Sequence, residues 1–194
     1  IELPPTLTSI GDNCFMDTIS FINLVIPNSV TSMGEGVFWN SRIQTITLPN
    51  TITSIGDHFV RYCDRLTSIE IPDSVTSIGV WVFNGCTLTS ITIPSLVTSI
   101  GGDSFSSTPL TTVVMNSSGV LFKNVFTNIN SISSVTFDYV GTIEANACNG
   151  RTAITSVTIG NTITSIGTNG FSNCTGLSGA LVIPDSVTTI GNYT

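Results

Sequence analysis

The stretch that decides the fold of this chain reads Leu66-Thr67-Ser68-Ile69-Glu70-Ile71-Pro72-Asp73-Ser74-Val75-Thr76-Ser77-Ile78-Gly79. In its first part Ile69 and Ile71 alternate with Glu70, which predicts a short strand with one buried face. Leu66 adds a third inward residue. Pro72 has no backbone N–H and therefore ends the strand.

The second part of the stretch predicts another extended piece and a corner. Val75 and Ile78 are expected to face inward, and Gly79 permits a positive φ where the chain turns. Phe83 and Cys86 follow three residues apart, which predicts one buried face of a helical or 3₁₀ turn.

This unit recurs along the whole chain. Its proline slot returns every 22–24 residues over eight periods, and in seven of the nine copies an aliphatic residue follows six positions later. The slot is occupied in turn by Pro4, Pro27, Pro49, Pro72, Pro94, Asn116, Asp138, Gly160 and Pro184. One unit cannot bury its own apolar edge, whereas a stack can. We therefore expect residues 1–194 to form a single right-handed, mainly β solenoid of about eight full repeats, with partial repeats at both ends.

Equivalent inward positions should stack as ladders. The strand ladder is predicted to contain Ile69, Ile91, Val113, Val135 and Val157. The aromatic ladder is predicted to contain Phe15, Phe38, Phe83, Phe105 and Phe171. Val60 takes the aromatic slot in the third coil, and in the seventh coil the slot falls near Ala147 or Cys148, where thinner packing is expected.

A unit of the form L-x-x-I-x-I-P-x-S-V-T-S-I-G-x-x-x-F-x-x-C resembles the BspA-like leucine-rich repeat. The best local matches are residues 66–86 and 88–105, and the resemblance covers essentially the whole chain. Residues 116–148 depart from it, with Asn116-Ser117-Ser118-Gly119 in place of Pro-x-Ser-Val and Glu144 in place of the glycine. This departure affects the expected geometry of that corner.

The resemblance implies a leucine-rich-repeat superhelix with short parallel strands and brief helical or 3₁₀ turns. Proteins similar to this family are mostly surface-exposed or secreted. They bind host or matrix proteins, mediate attachment, or serve as structural repeats, and the family implies no enzyme activity.

Composition limits the partners. Charged residues make up only 9% of the chain, and 5 basic against 12 acidic residues leave a net charge of −7. Nucleic acid and anionic membranes are therefore disfavoured, because both require clustered basic residues. No apolar run reaches the length of a membrane span, so no membrane insertion is expected. The 30 Thr and 25 Ser residues supply much of the polar surface, and rows of outward Thr follow from their β propensity.

No catalytic, cofactor-binding or metal-binding residues are predicted. His58 is the only histidine, and no C-x-x-C or H-x-x-x-H spacing occurs. Cys63, Cys86 and Cys174 lie three residues after the aromatic slot, which favours small buried thiols. A disulfide between Cys63 and Cys86, in neighbouring coils, remains an alternative of poorer geometry.

The most distinctive surface chemistry is predicted at the turns of three adjacent coils. Aromatic and Arg side chains are the residues that dominate protein interfaces. The candidate protein-binding residues are Trp39, Arg42, His58, Arg61, Tyr62, Arg65 and Trp81. Sequons for N-glycosylation occur at Asn116, Asn173 and Asn192, although a chain so rich in Asn, Ser and Thr contains sequons by chance.

These observations predict a non-enzymatic extracellular or cell-surface protein that mediates adhesion or protein binding. The alternative is a structural repeat segment of a fibre, stalk or other assembly. A protein or glycan partner, self-association or flanking repeats are all compatible with the pattern. Ile1 opens in the middle of a strand slot and Thr194 follows the inward Ile190 by four residues, so the chain is expected to be a segment of a longer one.

Overall fold

The computed structural model describes residues 2–20 and 22–194. Its chain forms two rows of short parallel strands joined by turns, with one four-residue helix, α1 (Phe122–Val125). The strand that precedes the proline slot forms the first row, which consists of β2 (Asn23–Val25), β4 (Thr45–Thr47), β7 (Ser90–Ile93), β9 (Thr112–Met115), β10 (Ser134–Phe137) and β12 (Ser156–Ile159). The piece that follows the slot forms the second row, which consists of β1 (Ser9–Ile10), β3 (Ser32–Met33), β5 (Ser54–Ile55), β6 (Ser77–Ile78), β8 (Ser99–Ile100), β11 (Gly141–Ile143), β13 (Ile163–Ile166) and β14 (Thr189–Ile190). The mainly β parallel solenoid predicted from the repeat is confirmed.

The first row pairs one repeat against the next. In β7, β9, β10 and β12 the register places Ile91 opposite Val113, Val113 opposite Val135, and Val135 opposite Val157. These residues are the predicted strand ladder, and they face the core because the pairing offset equals the repeat length.

The ladder is interrupted at its first predicted member. Ile69 lies in a segment, residues 67–71, that is not part of a strand and whose backbone makes no hydrogen bond to the coils on either side within the described chain. The first row is therefore divided into a β2–β4 pair and a four-stranded β7–β9–β10–β12 sheet. Ile69 is only partly buried, although Ile71 beside it is buried.

The second row is also divided, into β1–β3, β5–β6–β8 and β11–β13–β14. In the divergent region α1 takes the place of a second-row strand, and the pairing of β11 with β13 shifts register between Gly141 and Thr142. The irregularity expected for residues 116–148 is thus local to that corner. The outermost strand β14 pairs only with β13, and the predicted inward Ile190 is 54% exposed for that reason.

The two rows enclose one buried apolar cluster that runs from Ile10 to Cys174. Within it, phenylalanine rings of neighbouring coils stack, with centroids 5.4 Å apart for Phe15 and Phe38 and 5.0 Å apart for Phe83 and Phe105. Phe59, the neighbour of Val60, supplies the ring for the third coil at 5.4 Å from Phe38.

The aromatic slot of the seventh coil is occupied by Cys148. Its backbone N–H bonds Gly170, as the N–H of Phe83 bonds Ser104 in an earlier coil. A ring from the preceding strand, Phe137, lies 6.2 Å from Phe171 across this smaller side chain. The sequence predicted that the seventh coil has no Phe at this slot. The backbone hydrogen bond shows that Cys148, rather than Ala147, occupies it.

The position three residues after the aromatic slot donates a hydrogen bond to a carbonyl of the core. Cys63, Cys86 and Cys174 are free thiols whose sulfurs lie 3.0 Å, 3.0 Å and 2.9 Å from carbonyl oxygens of the preceding coil. Because each sulfur has its own partner, Cys63 and Cys86 are not bridged. Arg151 takes the same position in the seventh coil and donates to the Phe126 oxygen at 2.6 Å and to the Ile129 oxygen at 3.1 Å.

The turns after the second row differ from the helical or 3₁₀ turns that the spacing suggested. Among the described residues the only turn with a helix is that of α1. Seven other turns hold two residues each in the left-handed region, and the turn at Tyr193 holds one. A left-handed residue cannot continue a right-handed helix.

Candidate binding surface

Five of the seven predicted binding residues meet on one side of the solenoid, at the turns of three consecutive coils. We call Trp39, His58, Arg61, Tyr62 and Trp81 the aromatic–arginine patch. Trp81 is 36% exposed and Tyr62 is 45% exposed, and the other three are partly buried. The repeat brings them together because residues about one period apart occupy adjacent coils.

The rings of the patch form a continuous row across the coils. His58 stacks on Trp39, with ring centroids 5.2 Å apart and an interplanar angle of 20°. The same His58 meets Trp81 edge-on at 5.8 Å and 86°. Such stacked and edge-to-face arrangements are favourable for aromatic pairs. The imidazole therefore links the two tryptophans into one surface.

Arg61 lies at the centre of the patch. Its guanidinium carbon is 3.8 Å from the ring centroid of Trp81, 4.6 Å from that of Tyr62 and 5.4 Å from that of Trp39. All three distances fall within the range of a cation–π contact, which extends to about 6 Å.

Hydrogen bonds fix the same guanidinium. Nε of Arg61 donates to Oδ1 of Asn84 at 3.4 Å, and Nη2 donates to the Tyr62 hydroxyl at 3.0 Å. Nη1 lies 3.5 Å from Nδ1 of His58. No carboxylate lies within ion-pair distance of Arg61 anywhere in residues 2–20 and 22–194.

The backbone of the patch departs from the repeat in residue type. Each regular turn has one left-handed residue two positions after the corner glycine and another four positions later. The first slot is filled by Asn13, Gly36, His58, Trp81, Asp103, Asn146, Asn169 and Tyr193. The second slot is filled by Asp17, Asn40, Tyr62, Gly85, Ser107, Gly150 and Asn173. Gly, Asn and Asp tolerate this conformation, whereas bulky residues adopt it at a cost of about 1–3 kcal/mol. Three of the four ring-bearing exceptions belong to the patch.

Arg42 and Arg65 do not join this cluster. Arg42 is exposed and lines a shallow cavity of about 240 Å³ that also touches Tyr62 and Asp64. Arg65 is exposed, and its side chain makes no hydrogen bond, ion pair or cation–π contact with the patch as the structure describes it. The sequence could not separate Arg61 from Arg65, because their separation depends on the left-handed turn at Tyr62.

Two residues that support the patch were missed by the sequence analysis. Asn84 is buried, accepts from Arg61, and donates to the backbone oxygen of Ser106 at 3.1 Å and to its hydroxyl at 2.6 Å. Gly85 lies directly beneath the Tyr62 ring. Gly85 occupies the second left-handed slot of its turn, a conformation that glycine adopts without strain.

Two further cavities lie elsewhere, on the strand face at the interruption of the first row. One of about 500 Å³ extends over β2 and β4 to Glu70, and another of about 360 Å³ extends from Glu70 over β7. These are open troughs over a strand face that sequence analysis did not single out. The aromatic–arginine patch is a surface cluster of rings around one guanidinium, which suits contact with another macromolecule better than a small molecule in a pocket.

The remaining predicted sites are distributed along the chain. Asn173 and Asn192 are exposed, whereas Asn116 is partly buried and its side-chain oxygen is buried without a hydrogen-bond partner. Cys14 is exposed, and burial raises the pKa of Cys63 to about 11. In the described ranges no group of three or more His, Cys, Asp or Glu side chains is arranged to hold a metal ion. None of the helices in that part of the chain has the length and apolar character needed to cross a membrane.

Comparison with known proteins agrees with the fold. A family model described as BspA type leucine rich repeat region (6 copies) matches residues 1–111 and 54–178. Among curated proteins no sequence gives a match.

Solved structures give the same result. A leucine-rich repeat protein from Bacteroides ovatus is 21% identical with a TM-score of 0.54, over 98% of this chain and 62% of that one. One from Eubacterium ventriosum is 21% identical with a TM-score of 0.57, over 96% and 67%. One from T. pallidum is 21% identical with a TM-score of 0.58, over 91% and 77%. This chain thus spans less than two thirds of the Bacteroides ovatus protein, and at this identity the likeness concerns the fold alone.

Proposed function

This chain belongs to the BspA-type leucine-rich repeat family, and on that premise we propose that it is a non-enzymatic protein-binding module of the cell surface or extracellular space. Its partner docks on the aromatic–arginine patch. Leucine-rich repeats of this type generally mediate protein interactions and are typically surface-associated.

One observation carries the proposal. His58, Tyr62 and Trp81 occupy left-handed backbone positions that most other coils fill with Asn, Asp, Gly or Ser. Backbone positions of this kind cluster at functional sites. All three strained residues contact the same Arg61.

The exposed hydroxyl side chains of the first-row strands support this location. Exposed strand positions such as Thr45, Thr47 and Thr92 carry small hydroxyls. Such side chains anchor a partner weakly, whereas Trp, Tyr and Arg supply most of the binding energy of protein interfaces. The patch contains both tryptophans of the chain and one of its four arginines.

The experiment uses variants that keep the turn geometry. Tyr62→Asn and Trp81→Asn place in each slot the residue found there in other coils, such as Asn40 and Asn169. Immobilised wild-type protein and the double variant are compared for binding to purified matrix and serum proteins by interferometry. We expect the double variant to lose at least about tenfold in affinity for any partner of the wild type, since truncated interface hot spots cost about 2 kcal/mol or more each.

The matched control is Tyr193→Asn. Tyr193 is also a tyrosine in the first left-handed slot and is 82% exposed, but it lies far from the patch along the solenoid. Its replacement should leave affinity unchanged. Equal affinity of the patch double variant and the wild type would place the partner on another surface. Self-association of the wild type with no binding to any other protein would favour the structural-repeat function instead.

A further inference from the structure

We propose that Arg61 is a preformed receptor for a carboxylate, so that the patch selects an acidic side chain on the surface of its protein partner. This inference rests on the proposed function and specifies the chemistry of the partner. It is carried by the hydrogen-bond inventory, the stacking and the charge around one guanidinium.

The Arg61 guanidinium has more N–H donors than partners within the protein. A guanidinium has five N–H groups in a planar fork. In Arg61 one is used by Asn84, one by the Tyr62 hydroxyl and one by Nδ1 of His58. Two remain, one on Nη1 and one on Nη2, and these are the two terminal nitrogens that bind both oxygens of a carboxylate side by side.

Three aromatic rings hold the Arg61 guanidinium in place before a ligand binds. The ring centroid of Trp81 lies 3.8 Å from the guanidinium carbon, and those of Tyr62 and Trp39 lie 4.6 Å and 5.4 Å from it. Ring faces hold the guanidinium plane without using its N–H groups, so the donors at its edge stay available. An arginine already fixed in this way loses little side-chain entropy when a ligand binds.

The positive charge of Arg61 is the third feature that favours a carboxylate. No carboxylate of the described chain pairs with Arg61, although the protein as a whole is acidic. Asp57 is adjacent to His58 in sequence, but its Oδ1 accepts the backbone N–H of Val80 at 2.8 Å. A partly buried cation without a counter-ion favours an anionic ligand, and hydrogen bonds between charged groups are about twice as strong as neutral ones.

The experiment exploits the two tryptophans. Trp39 and Trp81 are the only tryptophans in the chain, and both contact Arg61, so the tryptophan emission of the intact protein reports on this site alone. The probe is the peptide acetyl-Gly-Glu-Gly-Glu-Gly-amide, titrated against its Gln counterpart of nearly the same shape. We expect a saturable emission change with the Glu peptide and an apparent affinity at least about tenfold lower for the Gln peptide.

Two variants distinguish bidentate hydrogen bonding by the Arg61 guanidinium from simple attraction between opposite charges. Arg61→Lys keeps the positive charge but loses the bidentate geometry, and it should weaken Glu-peptide binding at least about tenfold. Arg65→Lys, at an exposed arginine outside the patch, should change it by less than about twofold. Urea melts establish that both variants fold, and His58→Asn provides a second variant that leaves Arg61 in place but removes one of its three hydrogen-bond partners.

Three results would overturn the inference. The first is equal binding of the Glu and Gln peptides, and the second is equal binding by Arg61→Lys and the wild type. The third is tighter binding of a sulfated disaccharide than of the Glu peptide, which would assign the fork to a sulfated glycan. Each of these leaves the matrix-protein experiment able to support or reject the proposed function by itself.

Discussion

The Tyr62 ring packs directly on the backbone of Gly85. A β-carbon added to Gly85 would stand 2.4 Å from Cδ1 of Tyr62 and 3.0 Å from Cε1, and Gly85 has a φ of +74°. The absence of a side chain in the fourth coil therefore lets Tyr62 of the third coil lie flat beside Arg61.

Gly85→Ala should consequently destabilise the protein and displace Tyr62. We expect a loss of about 2–4 kcal/mol, of which about 1–2 kcal/mol comes from the left-handed backbone and the rest from the clash. Gly150→Ala is the matched control, because Gly150 has the same φ of +74° and open space around the position of its β-carbon. Urea melts measure both. If the two variants lose the same stability, the contact with Tyr62 contributes nothing.

The facing of the first row predicts unequal costs at adjacent residues. Ile91 is 3% exposed and lies opposite Val113, whereas Thr92 is exposed. Ile91→Ala should cost about 2–5 kcal/mol because it leaves a cavity in the core. Thr92→Ala should cost less than about 0.5 kcal/mol. Similar shifts in the denaturation midpoints of both variants would contradict the assigned facing.

Arg151 should behave as a core residue even though it is charged. Its guanidinium donates to the Phe126 and Ile129 oxygens and lies 4.9 Å from the ring centroid of Phe122. Arg151→Ala should cost about 1–3 kcal/mol, because the Ile129 oxygen loses its donor, whereas the Phe126 oxygen still accepts the backbone N–H of Ile129.

A second variant tests whether position 151 needs a side chain that donates a hydrogen bond to a carbonyl. Arg151→Cys introduces the residue found there in three other coils, where the thiol makes the equivalent bond to a carbonyl. It should therefore lose less stability than Arg151→Ala. Arg65→Ala serves as the exposed control and should be nearly neutral. Greater stability of the alanine variant than of the cysteine variant would show that the carbonyls need no donor.

The buried thiols predict a loss of stability at alkaline pH. Burial raises the pKa of Cys63 from 9.0 to about 11, and burial also raises the pKa of Cys86. Between pH 9 and 11 the unfolded chain has lost a proton that folded Cys63 retains. The free energy of unfolding should then fall by about 1.4 kcal/mol per pH unit for this thiol, as linkage requires.

Cys63→Ser isolates this contribution. Ser41 already occupies the equivalent position in the preceding coil and is buried, so a serine fits the slot. Urea melts at about pH 8 and about pH 10.5 should show a smaller decrease for Cys63→Ser than for the wild type. Equal decreases would mean that Cys63 ionises as readily in the folded protein as in the unfolded chain.

Much of the site could be anticipated from the sequence, because a fixed period places residues one repeat apart in neighbouring coils. Trp39, His58 and Trp81 were expected to lie together on that basis, and they do. The exclusion of Arg65 could not be anticipated, because the direction of a side chain at a turn depends on backbone dihedrals that spacing does not reveal. Gly85 and Asn84 could not be anticipated for the same reason, because the role of each depends on which side chain of the preceding coil lies against it.

The sequence by itself determined the parallel solenoid, the inward ladders and the register of one coil on the next, because a pattern that repeats every 22–24 residues allows one pairing offset. Only the tertiary structure decided where that pattern is interrupted, at residues 67–71, and which residue types carry its exceptions. It also decided that Arg61 lies among three rings, whereas Arg151 is partly buried and donates to two carbonyl oxygens. The physical reason is that periodicity specifies which coils meet, whereas the contacts of a single polar side chain depend on the exact position of atoms in two neighbouring coils.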